Sequence, residues 1–137
     1  MKVSKIIIHH SASVDGRTQN WGEIRRYHTV NKGWLDIGYH YGIELVDYDY
    51  EVLIGRFENE KGAHCPTQND KSLGICVVGN FQKTPVPNEQ WAKCIKLVRQ
   101  LMKNHNLTKA DIYGHRDFRD TACPGKYFDI KKFKSDL

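Results

Sequence analysis

Two apolar runs constrain the fold of this chain more than any other feature. The run KVSKIIIHH is rich in β-branched residues and predicts a strand over Val3–His9. The run SLGICVVGN, residues 72–80, is almost free of polar side chains, which is typical of a central strand. These runs predict the centre of a β-sheet, and the elements around them indicate the fold class.

A loop and a helix are predicted after the first strand. Residues Ser11 to Gly16 have turn or loop character. Asn20, with Glu23 three places later, is a helix-start signature, and Gly33 predicts the helix end. Between these ends the apolar residues keep helical spacing: Trp21, Ile24 and Tyr27.

The middle of the chain predicts a hairpin followed by a long loop. Two strand-like runs, YHYGIELV and EVLIGRF, are separated by DYDY, which indicates a hairpin. A polar loop from Glu58 to Lys71 then leads into the central strand.

The last third predicts a helix, a short strand and a closing helix. Pro87 suits the first position of the clearest helix, in which apolar residues follow helical spacing: Trp91, Cys94, Ile95, Val98, Leu101 and Met102. The short strand ADIYGH delivers His115 to its end, and YFDIKKFKSDL predicts the closing helix. Together the elements predict one α/β domain with a central mixed β-sheet flanked by helices.

Composition restricts the setting in which the protein works. Apolar residues make up 39% and charged residues 27% of the 137 residues, which indicates a folded globular protein. Ile6–Ile8 is too short for the core of a signal peptide, so we expect synthesis in the cytoplasm. No apolar run approaches the length of a transmembrane segment. The formal charge of +5 favours an anionic partner but does not choose among nucleic acid, an acidic cell wall and a membrane surface.

Three side chains of metal-binding type stand at predicted strand ends or in the loop that follows. His9 and His115 each lie at the C-terminal end of a predicted strand, and strand ends at one sheet edge are where open α/β folds place their sites. A loop could return Cys123 to the same edge, and Pro124 would stiffen its exit. Histidine and cysteine are common zinc ligands. Spacing alone indicates only a possible zinc site at this edge.

Five segments follow one another along the chain: IIIHHSAS, GWLDIGYHYGI, GAHC, SLGICVVGNF and GHRDFRDTACPG. In this order they resemble the type 2 N-acetylmuramoyl-L-alanine amidases, a zinc-dependent superfamily that includes phage lysozyme-type amidases and peptidoglycan recognition proteins. IIIHHSAS resembles the strand with the first zinc histidine, and GWLDIGYHYGI the segment with the site tyrosine. GAHC resembles the substrate-side loop, SLGICVVGNF the central strand, and GHRDFRDTACPG the block with the second histidine and the cysteine. The matches follow the family's order along nearly the whole chain, and the phage lysozyme-type branch is the most similar.

The resemblance implies a zinc site with three ligands and a catalytic tyrosine. Its ligand positions fall on His9, His115 and Cys123, and its catalytic tyrosine falls on Tyr39. The tyrosine would stabilise the oxyanion of the tetrahedral intermediate or pass a proton to the leaving amine.

Other positions depart from the family's patterns or have weaker matches. Many phage members carry a catalytic lysine where this chain has Thr121, which could supply a neutral hydrogen bond instead. Another branch carries a catalytic glutamate where this chain has Cys76, so more of the chemistry would rest on Tyr39. His64 is expected to contact substrate near the metal or to help move protons, with an ordinary loop histidine as the alternative.

The implied reaction is hydrolysis of the amide that joins N-acetylmuramic acid to L-alanine in bacterial peptidoglycan. One Zn²⁺ ion would activate water for this reaction, and no nucleic acid is required. We expect a monomer in which residues 1–137 form a single catalytic amidase domain without a separate wall-binding domain. The implied setting is a phage or prophage endolysin, made without a signal peptide, that acts on the cell wall after release.

Five further side chains have predicted places. His10 and His40 are expected to form supporting hydrogen bonds near the site, and His28 is expected at the surface. Arg116 and Arg119 are expected to be solvated in their loop, with carboxylates of the stem peptide as alternative partners.

Three other functions remain open. A peptidoglycan-binding module of the same fold would lack catalysis. A Cys–His peptidase would use Cys123 as nucleophile and His115 as base. A nucleic-acid-binding protein is indicated by charge alone, without a recognition motif.

Overall fold

A computed structural model describes residues 1–13 and 21–137 of the chain. Within those residues the chain forms five strands: β1 (Lys5–His10), β2 (Tyr41–Val46), β3 (Asp49–Ile54), β4 (Ser72–Val77) and β5 (Ile112–Gly114). The same residues form three α-helices: α1 (Trp21–Arg26), α2 (Asn88–His105) and α3 (Ile130–Asp136). The predicted helix start at Asn20 and loop positions 14–16 lie outside the described residues.

Shorter helical turns connect these elements. α1 continues as a π-helical turn over Tyr27–Asn31, and Gly33 follows it with a φ of 69°, as its predicted place at the helix end requires. Two 3-10 turns cover Lys109–Asp111 and His115–Asp117. None of the helices in the described part of the chain has the length and apolar character needed to cross a membrane.

The five described strands form one mixed sheet in the order β3-β2-β4-β1-β5. β1 pairs in parallel with β4 on one side and with β5 on the other. β2 pairs in parallel with β4 and antiparallel with β3. This arrangement confirms the predicted α/β fold with a mixed central sheet. The parallel pairing also sets the carboxyl ends of β1, β4 and β5 at one edge.

The two faces of the sheet carry separate apolar clusters because side chains alternate along a strand. Ile6 and Ile8 of β1 belong to the larger cluster, which also contains residues of α2 and α3. Trp21 of α1 packs on the opposite face with Cys76 of β4. Since His9 alternates with Ile8, it points to the α1 side of the sheet.

The structure differs from the sequence prediction at the hairpin and at the start of α2. β2 and β3 pair as far as Val46 and Asp49, so a turn at Asp47 and Tyr48 replaces the predicted DYDY linker. Asp47 has a φ of 56°, the left-handed conformation that such a short turn requires. Pro87 stands one residue before α2 instead of at its first position. Backbone hydrogen bonds set these limits, and a side-chain pattern does not report them.

Candidate metal centre

The register of β1 against β5 brings the two candidate histidine ligands together. Ile8 of β1 pairs with Gly114 of β5, and the residue that follows each of them in the chain is a histidine, His9 and His115. Their ring centroids lie 4.4 Å apart. Two distant parts of the chain therefore meet at the carboxyl ends of neighbouring parallel strands, as predicted.

Arg116 fixes the loop that returns Cys123 to this edge. Its backbone N–H donates to the Cys123 carbonyl oxygen at 2.9 Å. Its guanidinium donates to the carbonyl oxygens of Gly125 at 2.8 Å and Phe128 at 2.7 Å. The expectation of a solvated Arg116 is therefore wrong, because unpaired carbonyl oxygens in a tight loop need donors and this side chain supplies them.

The three candidate ligand atoms lie close enough to share one metal ion. One nitrogen of each histidine and the Cys123 Sγ all lie within 4.8 Å of one another, and His9 Nδ1 is 3.9 Å from that sulfur. Zinc bonds of about 2.0–2.1 Å to nitrogen and about 2.3 Å to sulfur imply a nitrogen–sulfur separation of about 3.6 Å in a tetrahedral site. The cluster can therefore hold a metal ion, and its nitrogen and sulfur donors suit zinc.

A chain of hydrogen bonds orients the His9 ring through Nε2, the nitrogen that faces His64. With Nδ1 turned towards Cys123, its Nε2 lies 2.9 Å from Nδ1 of His64. In the tautomer that carries its proton on Nε2, His9 Nε2–H donates and His64 Nδ1 accepts. His64 Nε2–H then faces Ser72 Oγ at 3.4 Å, and the Ser72 hydroxyl donates to the Gln68 carbonyl oxygen at 2.6 Å. In this tautomer all the hydrogen bonds run in one direction, and the His9 Nδ1 lone pair is free for a metal.

The packing behind His9 requires a glycine in β4. A Cβ on Gly74 would lie 2.5 Å from the His64 ring, which no real structure tolerates. Gly74 also donates its N–H to His40 Nδ1 at 3.0 Å, and the fully buried His40 donates from Nε2 to the Glu60 carbonyl oxygen at 2.7 Å. His40 thus forms supporting hydrogen bonds near the site, as predicted.

His10 supports the sulfur side of the cluster. Its backbone N–H donates to Cys123 Sγ at 3.4 Å, and its ring Nδ1 accepts the Phe81 N–H at 3.1 Å. An N–H···S hydrogen bond stabilises a thiolate, so this contact favours the form of Cys123 that binds metal.

Burial keeps the imidazoles of the site neutral. Burial, with smaller effects from neighbouring histidines, lowers the pKa of His9 well below its usual 6.5. Burial also lowers the pKa of His64 to about 3, and it lowers the pKa of His115 with help from Arg119. The same cause raises the pKa of the Cys123 thiol to about 11, so the thiolate forms readily at neutral pH only beside a cation.

The cluster opens into a cleft of about 410 Å³ on the α1 side of the sheet. All six residues that the sequence predicted for the site line this cleft: His9, Tyr39, His64, His115, Thr121 and Cys123. The residues around α1 form the opposite wall: Ile24, Tyr27, His28, Lys32 and Trp34. None of the described residues that line the cleft is an aspartate or glutamate. Lys32 is the single lysine or arginine among the described residues that line the cleft.

Two hydroxyl groups of the cleft can donate hydrogen bonds. The Tyr39 ring centroid lies 5.2 Å from that of His9, and burial raises the Tyr39 pKa well above its usual 10, with smaller effects from nearby thiols. Tyr39 therefore stays protonated at physiological pH. The Thr121 hydroxyl accepts the Cys123 N–H at 3.2 Å, which leaves its own proton available for a ligand.

The expectation that His28 is a surface residue is wrong. Its side chain is buried, lines the cleft and accepts the Gly38 N–H at 2.9 Å. Its ring centroid lies 4.6 Å from that of Trp34. The sequence carried a signal for this place, since His28 follows Ile24 by four residues and Trp21 by seven, on one helix face.

We expect the metal-free protein to lose stability as the pH falls from about 6.5 towards 4. Burial lowers the pKa values of His10 and His28 to about 4, whereas both are near 6.5 in an unfolded chain. The unfolded state therefore binds more protons in this window, and each histidine lowers the free energy of unfolding by up to about 2 kcal/mol at pH 5. Urea unfolding at pH 7 and pH 5 measures the change.

The variant His28→Gln provides the control for this expectation. Without the His28 imidazole, the difference between the two pH values should shrink. A free energy of unfolding that is the same at pH 7 and pH 5, or a His28→Gln variant with the full pH dependence, would contradict the assignment.

The sequence of this chain is similar to those of known proteins. A family model described as N-acetylmuramoyl-L-alanine amidase matches residues 1–126. Peptidoglycan-recognition protein LB of Drosophila melanogaster is 34% identical over 128 residues, which cover 88% of this chain but only 53% of that protein. The endolysin of Klebsiella phage KP32 is 30% identical over 135 residues, which cover 96% of this chain and 85% of the endolysin. The chain thus spans about half of the recognition protein and most of the endolysin.

A solved structure shows the same similarity in three dimensions. The endolysin N-acetylmuramoyl-L-alanine amidase LysCS from Clostridium intestinale URNW matches with a TM-score of 0.86 and 34% sequence identity. The match covers 99% of this chain and 84% of that one. The similarity therefore includes the whole sheet and the segments that form the cleft.

Proposed function

This chain belongs to the N-acetylmuramoyl-L-alanine amidase family, and from that premise we propose that it hydrolyses the amide bond between N-acetylmuramic acid and L-alanine in peptidoglycan. We further propose that one zinc ion is bound by His9, His115 and Cys123. The observation that carries the proposal is the convergence of these three ligand atoms at the base of a cleft that also contains Tyr39. The family match agrees with the resemblance that the five sequence segments indicated.

The residues of the cluster prepare the metal site. Zinc bound there would supply an activated water and polarise the scissile carbonyl. The His9–His64–Ser72 chain holds His9 in the tautomer that binds metal, and the loop fixed by Arg116 holds Cys123 at the same point. His64 lines the cleft while both its ring nitrogens have protein partners. We therefore propose that His64 meets substrate through its ring edge and acts mainly by positioning His9.

Tyr39 and Thr121 supply the hydrogen bonds that the reaction needs from the protein. As water adds to the scissile carbonyl, negative charge develops on its oxygen, and preorganised donors stabilise this charge. Tyr39 suits the role of a donor that keeps its proton, because its raised pKa disfavours proton release. Thr121 adds a second, neutral donor on the Cys123 side of the cleft. A zinc-bound water would release one proton to solvent as it ionises, and the leaving amine would take up one proton from solvent, so the reaction consumes one water overall.

A peptidoglycan-binding module without catalysis is the alternative, and the similarity to a recognition protein favours it. The complete cluster and Tyr39 favour the enzyme instead, because binding alone requires neither. A Cys–His peptidase is disfavoured by the Cys123 thiol, whose pKa is raised to about 11, whereas a nucleophilic cysteine needs a lowered pKa.

The biological setting that we propose is a phage or prophage endolysin that reaches the cell wall after release from the cytoplasm. The similarity to a phage endolysin over most of its length supports this setting. The family match over residues 1–126 supports a single catalytic domain, and a monomer stays our prediction for the oligomeric state.

Digestion of purified peptidoglycan by the zinc-loaded protein tests the proposed function. We expect new free L-alanine amino termini without new reducing sugars, detected by mass analysis of the products. The activity should disappear after chelation and return with zinc. Cosedimentation with peptidoglycan without any product would favour the binding module, and reducing ends alone would reject the amidase.

A further inference from the structure

A strongly basic surface lies on the other side of the sheet from the cleft. Residues 88–137 contain 11 lysines and arginines against six aspartates and glutamates, whereas residues 1–87 contain ten of each. The formal net charge of +5 therefore resides in the part of the chain that forms α2, β5 and α3. None of the lysines of α2 or α3 lines the cleft.

α2 and α3 present part of this charge along a groove, which we call the basic groove. Lys96, Arg99 and Lys103 line it from α2, and Asp136 lines it from the end of α3. The three basic residues follow one another by three and four positions, so they share one helix face and span about 10 Å along it. A row of cations at this spacing suits a linear polymer with repeated negative charges.

The groove has a positive balance because three cationic side chains line it against one carboxylate. Among the described residues that line the groove, Asp136 is the single acidic one. Its carboxylate accepts the Trp91 Nε1–H at 2.9 Å, and its carbonyl oxygen accepts a hydrogen bond from Arg99 at 2.7 Å. Lys96 and Lys103 are exposed and have no ion-pair partner in the described part of the chain, so their ammonium groups are available to a ligand.

The surroundings of the groove distinguish among polyanions. The large exposed apolar side chains of the described residues all lie outside α2 and α3, and without them a helix does not insert into a bilayer. Nucleic-acid bases stack on exposed aromatic rings. Trp91 is packed against Phe128 and Phe133, with ring centroids 5.2 and 5.0 Å away, and Lys132 lies over it at 5.3 Å. The groove thus offers positive charge, but neither exposed apolar side chains that insert into a bilayer nor an unpacked aromatic ring on which bases stack.

We propose that the basic groove binds a phosphate-rich anionic polymer of the bacterial cell wall. The choice of a wall polymer rests on the proposed function, which brings the protein to the wall. Because the groove lies on the α2 side of the sheet and the cleft on the α1 side, the polymer can be bound while the cleft remains open to the stem peptide. The groove would therefore hold the enzyme at its insoluble substrate.

Binding of a soluble poly(glycerol phosphate) chain to the zinc-loaded protein tests this inference. Calorimetry at several salt concentrations gives the affinity and its salt dependence. The variant Lys96→Glu/Lys103→Glu should bind the polymer at least about tenfold more weakly, and the slope of log K against log salt should fall by about 2. Hydrolysis of a small soluble muropeptide should be unchanged, which separates this inference from the proposed catalytic function.

Lys2→Glu/Lys71→Glu is the matched control, since it changes the net charge equally at two exposed lysines outside the groove. It should bind the polymer nearly as well as the wild type. Equally weakened polymer binding in both variants would show that binding depends only on net charge, and it would overturn the inference. So would unchanged binding in Lys96→Glu/Lys103→Glu, no binding by the wild type, or tighter binding to anionic vesicles or single-stranded DNA than to the polymer.

Discussion

Replacing Cys123 by serine is expected to abolish hydrolysis of peptidoglycan and to weaken zinc binding by more than about 100-fold. Mutation of a residue that only orients a metal ligand lowers the metal affinity by up to about 100-fold, and removal of the ligand itself should lower it further. A hydroxyl is a poor zinc donor, and His9 and His115 alone would leave the ion with two protein ligands. Competition with a chromogenic chelator measures the zinc affinity, and muropeptide release measures the activity.

Cys94→Ser is the matched control for this prediction. Cys94 is a buried residue of α2 in the apolar core, and its thiol lies outside the ligand cluster. The same chemical change there should lower stability by about 1–3 kcal/mol through burial of a hydroxyl, with one zinc ion still bound. A Cys123→Ser variant that keeps the wild-type zinc affinity would remove Cys123 from the metal site.

Replacing Tyr39 by phenylalanine is expected to lower kcat by about 10²–10³-fold, the usual effect of removing one oxyanion donor. The ring packing against His9 is kept in this variant, so the zinc content and the free energy of unfolding should change little. The effect should appear in kcat rather than KM, because the hydrogen bond strengthens as charge develops on the carbonyl oxygen. Steady-state hydrolysis of a soluble muropeptide separates the two constants.

Tyr113→Phe removes a phenol hydroxyl outside the cleft and serves as the control. Tyr113 lies on β5, where its ring centroid is 4.9 Å from that of Phe118. Its loss should leave kcat within about twofold of the wild type, as for a surface substitution away from the site. Full turnover by Tyr39→Phe with zinc bound would show that the tyrosine has no part in the chemistry.

The sequence alone determined the elements whose signals are local. The apolar runs predicted β1 and β4, helical spacing predicted α2, and Gly33 predicted the end of the first helical segment. Such patterns act within a few residues, so they can be interpreted without knowledge of the partners. The candidate site residues were named from motif resemblance, because spacing alone could not join residues at opposite ends of the chain.

Only the tertiary structure decided how those residues meet. The Ile8–Gly114 register sets His9 beside His115, and a single residue of slippage would turn one of them to the other face of the sheet. The contact between His9 and His64 requires a glycine at position 74, because a Cβ there would meet the His64 ring. Gly74 belongs to a third segment of the chain. These relations depend on hydrogen bonds and packing between distant segments. No local pattern contains them, since side-chain periodicity specifies which face of an element is buried but not what lies against it.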